Sequence, residues 1–184
     1  PSHVWYLRTE LEQAGIFIET LSSTLRFVVI GAGRLGASLA LALRSRGYAL
    51  VGFTSNSLDG RLRAEAWLGG TASSDVAGLV AHAPDLYVIA VPDQAVPEVA
   101  VRLGSALSGP AGCTRPVVAH TSGATSVTAL RPCEEAGALT AVFHPLQTFS
   151  EPLTGSTRFA GAAIAITPAD PRARAAISLC LALA

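Results

Sequence analysis

The sequence predicts an α/β fold, a doubly wound and mostly parallel sheet with helices on both faces, on three observations. From Arg26 onward, short apolar runs alternate with helical stretches, the order that builds a parallel sheet covered on both sides. A glycine-rich turn, "VVIGAGRLG", joins the first apolar run to the first helical stretch. Half of the 184 residues are hydrophobic and 14% are charged, enough apolar matter for one packed domain and too little charge for disorder.

In chain order, "RFVVI" reads as the first strand and "RLGASLALALRSRG" as the helix after the turn. Leu35, Leu39 and Leu43 recur on one face of that helix, and Gly47 supplies its stop. "YALVGF" is a second strand, "SDVAGLVAHA" a helix, "DLYVIAV" a strand and "DQAVPEVAVRLGSAL" a helix. "RPVVAH" and "LTAVFH" are strands separated by the helix "SVTALRPCEEAG". "FAGAAIAIT" is a last strand, and "DPRARAAISLCLALA" opens a helix. Before Arg26, "LRTELEQAGIFIETL" has the pattern of a short amphipathic helix. With Pro1 at one end and "ISLCLALA" at the other, the chain reads as part of a longer protein.

Thirteen basic and thirteen acidic residues cancel, without a basic stripe, which argues against nucleic acid or an anionic membrane as a partner. No apolar run reaches the roughly 18 residues of a membrane span. Cys113, Cys133 and Cys180 are scattered without metal-ligand spacing, so reduced thiols of a cytoplasmic protein are expected, with neither a metal site nor a disulfide framework. Every basic residue is arginine; the chain has no lysine.

In a sheet of this kind ligands bind beyond the carboxyl ends of the strands. Gly31, Gly33 and Gly36 form G-x-G-x-x-G between a strand and a helix. Gly31 makes the tight turn, Gly33 lets a pyrophosphate approach the backbone, and Gly36 lets helix and strand pack closely. The candidate cofactor site is thus Gly31, Ala32, Gly33, Arg34, Leu35 and Gly36, with the helix N-terminus facing the phosphates. Arg34 in the first turn opposes the helix dipole, a placement that makes sense if an anion arrives. At the end of the second strand, where an acid would grip a ribose diol, stand Thr54, Ser55, Asn56 and Ser57, with Arg61 and Arg63 nearby. This set suits the 2′-phosphate of NADP(H), although the two arginines also read as solvated loop residues and Asp59 lies between the serines and the arginines.

In order and spacing, "VVIGAGRLGASLA", "DLYVIAVPDQAV", "VVAHTSGATSVTAL" and "AVFHPLQTFS" resemble the Rossmann-like oxidoreductases that carry a C-terminal DUF2520 domain. These belong to the 6-phosphogluconate dehydrogenase-like superfamily, beside pyrroline-5-carboxylate and ketopantoate reductases. The resemblance covers roughly residues 26 to 184. It implies an N-terminal extension at 1–25, a dinucleotide-binding Rossmann-like domain at 26–168, and the start of an interdomain helical region at 169–184. The remainder of that helical domain, lying outside this chain, completes the cleft and makes the homodimer. The resemblance also implies an NADP-type oxidoreductase acting on a small-molecule substrate, and places the turn Val91, Pro92, Asp93 and Gln94 against the nicotinamide-side ribose. Asp93 reads equally as a helix N-cap.

His120 closes one strand and is followed by Thr121, Ser122 and Gly123; His144 closes the next. Both histidines at neighbouring strand ends, with Ser122, are the candidate catalytic residues. Histidine can supply the proton that accompanies hydride delivery, and the loop's N–H groups and hydroxyls can hold a carboxylate or carbonyl oxygen. The competing readings are a packed core histidine and simple capping by Ser122 or Ser126. Some superfamily dehydrogenases use a lysine of the first interdomain helix as proton donor, so here the donor is a histidine, another group, or a residue of the helical domain. The expected reaction is reduction of a small oxo-acid or imino-acid, or its reverse. A non-catalytic NADP(H) sensor or scaffold, and hydride exchange between NADP and a deazaflavin, are the alternatives.

Overall fold

The structure, a computed structural model, describes residues 24–108, 115–173 and 177. Its elements run β1 (Arg26–Ile30), α1 (Arg34–Ser45), β2 (Ala49–Thr54), α2 (Leu58–Leu68), α3 (Ala77–Val80) and β3 (Leu86–Ile89). After a 3₁₀ turn at Asp93–Ala95 come α4 (Val96–Leu107) and β4 (Val117–His120). A second 3₁₀ turn at Val127–Leu130 leads into α5 (Arg131–Glu135) and β5 (Leu139–Pro145). Finally α6 (Pro152–Gly155) continues as a 3₁₀ turn, Ser156–Phe159, before β6 (Ile164–Pro168).

The six strands form one sheet in the order β2-β1-β3-β4-β5-β6. The first five are mutually parallel and β6 runs antiparallel to β5. The expected mostly parallel α/β sheet is therefore present. The chain steps from β1 outward to β2 and then returns across β1 to β3, so the order reverses between β1 and β3. A reversal of this kind opens a crevice at the strands' carboxyl ends.

Strand alternation sorts the core. Phe27 and Val29 of β1, Leu86 and Val88 of β3, and Ala141 and Phe143 of β5 face α1, burying Leu39 and Leu43. Val28, Ile30, Tyr87, Ile89 and Val118 face the opposite way, onto Val96, Ala100 and Leu103 of α4 and Leu130 beyond β4. Both faces of the sheet are covered, as near-continuous apolar strands require.

Several elements depart from expectation. Leu58–Leu68 is a helix, although Arg61 and Arg63 within it also read as solvated loop residues. It buries only Ala64 and Leu68, so it carries little apolar periodicity. Its start is a local device instead: the Ser57 hydroxyl accepts the Gly60 N–H at 3.0 Å. The expected helix "SDVAGLVAHA" is reduced to Ala77–Val80, with Ala83 beyond it at φ +44°. "SVTALRPCEEAG" divides into the 3₁₀ turn and α5, with Pro132 in the first turn of α5. The Pro152–Phe159 turns had no counterpart in the sequence pattern, and "FAGAAIAIT" pairs only from Ile164. Residues 171–173 and 177 are helical, as expected of "DPRARAAI". The amphipathic helix before Arg26, His3, Cys113 and Cys180 lie outside the described residues.

The tightest joint in this frame is at Gly36, where an added Cβ would overlap the Gly31 carbonyl oxygen and lie 3.0 Å from a Val29 methyl. Gly36→Ala should cost about 1–3 kcal/mol of stability. Urea unfolding should show a lower midpoint with an unchanged slope; an unchanged midpoint would mean that helix and strand are not in contact there.

Candidate cofactor groove and strand-end histidines

The glycine turn is clamped from the side by β2. The Thr54 carbonyl accepts both the Gly31 and the Ala32 N–H, at 3.1 and 2.7 Å, and its hydroxyl oxygen lies 3.3 Å from the Gly31 nitrogen. Gly31 stands at φ +95°, and a Cβ there would lie 2.6 Å from the Ala90 carbonyl oxygen at the end of β3. Only glycine satisfies both demands.

Gly33 differs. It is the N-cap of α1 with ordinary extended backbone, and a Cβ built on it meets nothing within 4 Å. No side chain caps the helix and no acid stands in its first turn. The first-turn N–H groups of an α-helix have no partner within the helix, and here they open on a free mouth. Gly33 and Arg34 are exposed, Leu35 is half-buried, and Ala32 and Gly36 are buried. Gly31 and Gly36 therefore build the turn, and Gly33 with Arg34 faces whatever enters.

Two troughs meet at this turn and share Gly33, Ser55 and Asn56. One, of about 310 Å³, lies over the β1/β3 reversal and is walled by Val76, Val91, Pro92, Val99 and Arg102. The other, of about 610 Å³, runs across the start of α1 to Arg63, Trp67 and the Ser150–Pro152 corner. Of the groups expected after β2, Thr54 braces the glycine turn and Ser57 caps α2. Ser55 and Asn56 are left to line both troughs. Arg63 lines the second and pairs with Asp59 one turn earlier on α2. Arg61 does not line either trough; it is partly buried with its Nε unpartnered. Val91 and Pro92 line the first trough, whereas Asp93 and Gln94 are exposed on the next turn, and the Asp93 side chain makes no cap.

The far walls of the groove carry no signal in the sequence. Val99 and Arg102 sit three residues apart on α4, a spacing that places them side by side. Their helix was legible, but not that it borders the groove. Glu151 and Trp67 come from segments whose helical form was itself unseen.

Pairing sets Ile30, Ile89, His120 and Val142 level across the sheet. His144 stands two residues further out, paired with Ala165. Alternation puts both histidines on the α4 side. His120 is fully buried; its Nε2 lies 3.4 Å from the Ser126 carbonyl, a long contact, and its Nδ1 has no partner. His144 is half-buried, and its Nδ1 lies 2.9 Å from the Thr121 carbonyl. A carbonyl only accepts, so Nδ1 carries the hydrogen and Nε2 is left with a lone pair. The ring lies across Gly123, where a Cβ would stand 2.5 Å from Nε2. Ser122 is buried. Its hydroxyl accepts the Ala124 and Thr125 N–H groups at 3.2 and 3.0 Å and donates to the Thr125 hydroxyl at 2.9 Å. That hydroxyl organises the loop beneath His144. Of the three catalytic candidates, His144 alone is half-buried instead of buried, and its Nε2, set against Gly123, has no hydrogen-bond partner among the described residues.

Cys133 is fully buried, with its thiol 3.4 Å from the Ala100 carbonyl, and burial, reinforced by Glu134, pushes it up to about 12. It is no nucleophile. Among the described residues no group of three or more His, Cys, Asp or Glu is placed to hold a metal ion, and no helix is long and apolar enough to cross a membrane.

The model of the Rossmann-like domain family matches residues 13–145. The chain belongs to the Rossmann-like domain family. No curated protein matches it. Among solved structures, this Rossmann-like domain is similar to a Bacteroides fragilis protein described as an NADP oxidoreductase, at 22% identity and TM-score 0.67 over 87% of this chain and 57% of that one. It is also similar to a pyrroline-5-carboxylate reductase from Coxiella burnetii, at 19% identity and TM-score 0.63 over 88% and 57%. A prephenate dehydrogenase from A. aeolicus, in complex with hydroxyphenyl propionate and NAD+, aligns at 15% identity and TM-score 0.70 over 89% and 59%. These likenesses establish the shared fold. The chain spans less than two thirds of each of these proteins.

Burial holds the His120 imidazole below its ordinary value of 6.5; the Ser126 carbonyl and Asp93 oppose this without overcoming it. The unfolded chain therefore binds a proton that the native state refuses. The stability is fully present above the unfolded value and is lost as pH falls through it toward the lowered native one. Thermal melts between about pH 7.5 and pH 5 should show a falling Tm, with a shallower fall in His120→Leu. Equal slopes in both proteins would mean that His120 does not titrate on unfolding.

Proposed function

We propose that this domain binds NADP(H) and forms the cofactor half of an oxidoreductase that moves a hydride between the nicotinamide and a small oxo-acid or imino-acid. One observation carries the reading: an uncapped α1 N-terminus with open space at Gly33, set where the strand order reverses. The Rossmann-like family and the oxidoreductases among its structural neighbours support it. In this reading the N–H groups after Gly33 and the Arg34 guanidinium hold the pyrophosphate. Ser55, Asn56 and Arg63 hold the 2′-phosphate. Val76 and Val99 offer apolar walls to the adenosine, and Val91 and Pro92 border the path toward the nicotinamide. The nicotinamide, when bound, supplies or accepts the hydride.

His144 is the group that moves the accompanying proton. The Thr121 carbonyl fixes its tautomer and leaves Nε2, beside Gly123, to take or give a proton. The Ser122 loop and Gly123 set the ring's position, and His120 supports that loop from beneath. A helical domain of the DUF2520 type, beyond this chain, completes the cleft and carries the dimer contact, in a cytoplasmic enzyme. A second reading, a non-catalytic NADP(H)-binding protein, is favoured by the burial of His120 and Ser122.

Two substitutions in the full-length protein test these roles. Gly33→Val should fold, because a Cβ there meets nothing, yet lose about tenfold or more in NADPH affinity by filling the phosphate approach; unchanged affinity in titration calorimetry would remove the central claim. His144→Ala should lower turnover by about 100-fold with NADPH affinity nearly unchanged. His144→Gln keeps a hydrogen bond but cannot titrate, so recovered turnover in that variant would exclude proton transfer by His144.

A further inference from the structure

The expectation of NADP(H) rests on the absence of an acid at the end of β2, but the fold brings an acid to the same trough from elsewhere. Glu151 lines it together with Ser55, Asn56 and Arg63. It arrives from the segment that follows the His144 strand, almost a hundred positions along the chain from β2. We infer that Glu151 is a specificity-determining residue of the cofactor groove, opposing the 2′-phosphate and so setting the ratio of NADP(H) to NAD(H) binding. This inference rests on the dinucleotide reading above.

Two features show that the carboxylate is available for this task. Glu151 is the N-cap of α6, with extended backbone at φ −150° and ψ 141°, yet its side chain makes no cap hydrogen bond. It is exposed and forms no salt bridge among the described residues. Its location, by contrast, is fixed from behind. Pro152 is buried, and Gly155 sits so close to α1 that a Cβ would overlap the Ser38 hydroxyl. Ser38 in turn donates to the Arg34 carbonyl at 2.7 Å. The Phe149 and Phe159 rings, 4.8 Å apart, close the segment on itself. The acid is thereby kept in the trough that Gly33 and Arg34 also line.

The charges of this trough then nearly cancel. Arg34 and Arg63 favour an added phosphate, while Asp59, paired to Arg63, and Glu151 oppose it. A groove with the arginines alone would select strongly for the 2′-phosphate. With Glu151 present the selection is restrained, and the restraint is electrostatic, so salt weakens it.

The test is titration of the full-length protein and Glu151→Gln with NADPH and with NADH at low salt. The substitution should raise NADPH affinity about threefold to tenfold, the order expected of one charge removed a few ångströms from another in a solvated site. NADH affinity should stay within about twofold, and the gain should shrink in about 0.5 M salt. Unchanged NADPH affinity, or an equal rise for both cofactors, overturns the inference. If the unaltered protein takes up neither dinucleotide, the dinucleotide reading itself falls, and this inference with it.

Discussion

The Thr54 carbonyl is the constraint on which the cofactor edge depends. By accepting the Gly31 and Ala32 N–H groups together, it fixes the glycine turn to the end of β2 and forces the chain to leave β1 in one direction. Gly31 can obey only at positive φ, and the Ala90 carbonyl close beside it leaves no room for a side chain. Gly36 then lies against Gly31, and α1 packs across β1. Three strand ends, those of β1, β2 and β3, are thereby locked around one turn, with the free N-terminus of α1 in their midst. Rigidity here is what allows an uncapped helix end to stand open without being closed by the fold's own side chains.

The other end of the carboxyl edge is organised around carbonyls too, with histidines as donors. His144 holds the Thr121 carbonyl and His120 reaches toward the Ser126 carbonyl, so two neighbouring strands grip the two ends of one loop. Ser122 ties the middle through its hydroxyl. Similar residue types thus serve different purposes by depth. His120, level with the sheet's last paired rung, is sealed in and favours the neutral form. His144, two residues further out, keeps one nitrogen free. Strand length alone separates them, because β5 runs on to pair with β6 where β4 has already ended.

The segment after β5 joins these two regions. It carries the chain from His144 back over α1, packs Gly155 on Ser38, and ends beside the phosphate side of the groove. The histidine edge and the cofactor turn are consequently parts of one body, connected by a short, tightly packed strap rather than by the sheet alone.

The alternation of apolar strands and helices, the glycine turn and the histidines at strand ends were all legible in the sequence. Each follows from local rules: burial on both faces, positive φ, or position just after an apolar run. The helix at Leu58–Leu68 was not legible, because it buries so few side chains that no period marks it. The turns at Pro152–Phe159 were not, because four-residue elements carry no period at all. Ser57 and Ser122 are engaged locally, by backbone N–H groups two or three residues along the chain, whereas tertiary structure alone set the Thr54 carbonyl on the glycine turn. It alone also returned Glu151 to the groove from which β2 had left an acid out. Sequence by itself determined the fold class and the edge where chemistry belongs, since these depend on near neighbours along the chain. Which side chains meet at that edge depends on distant segments packing together, and no local pattern records that.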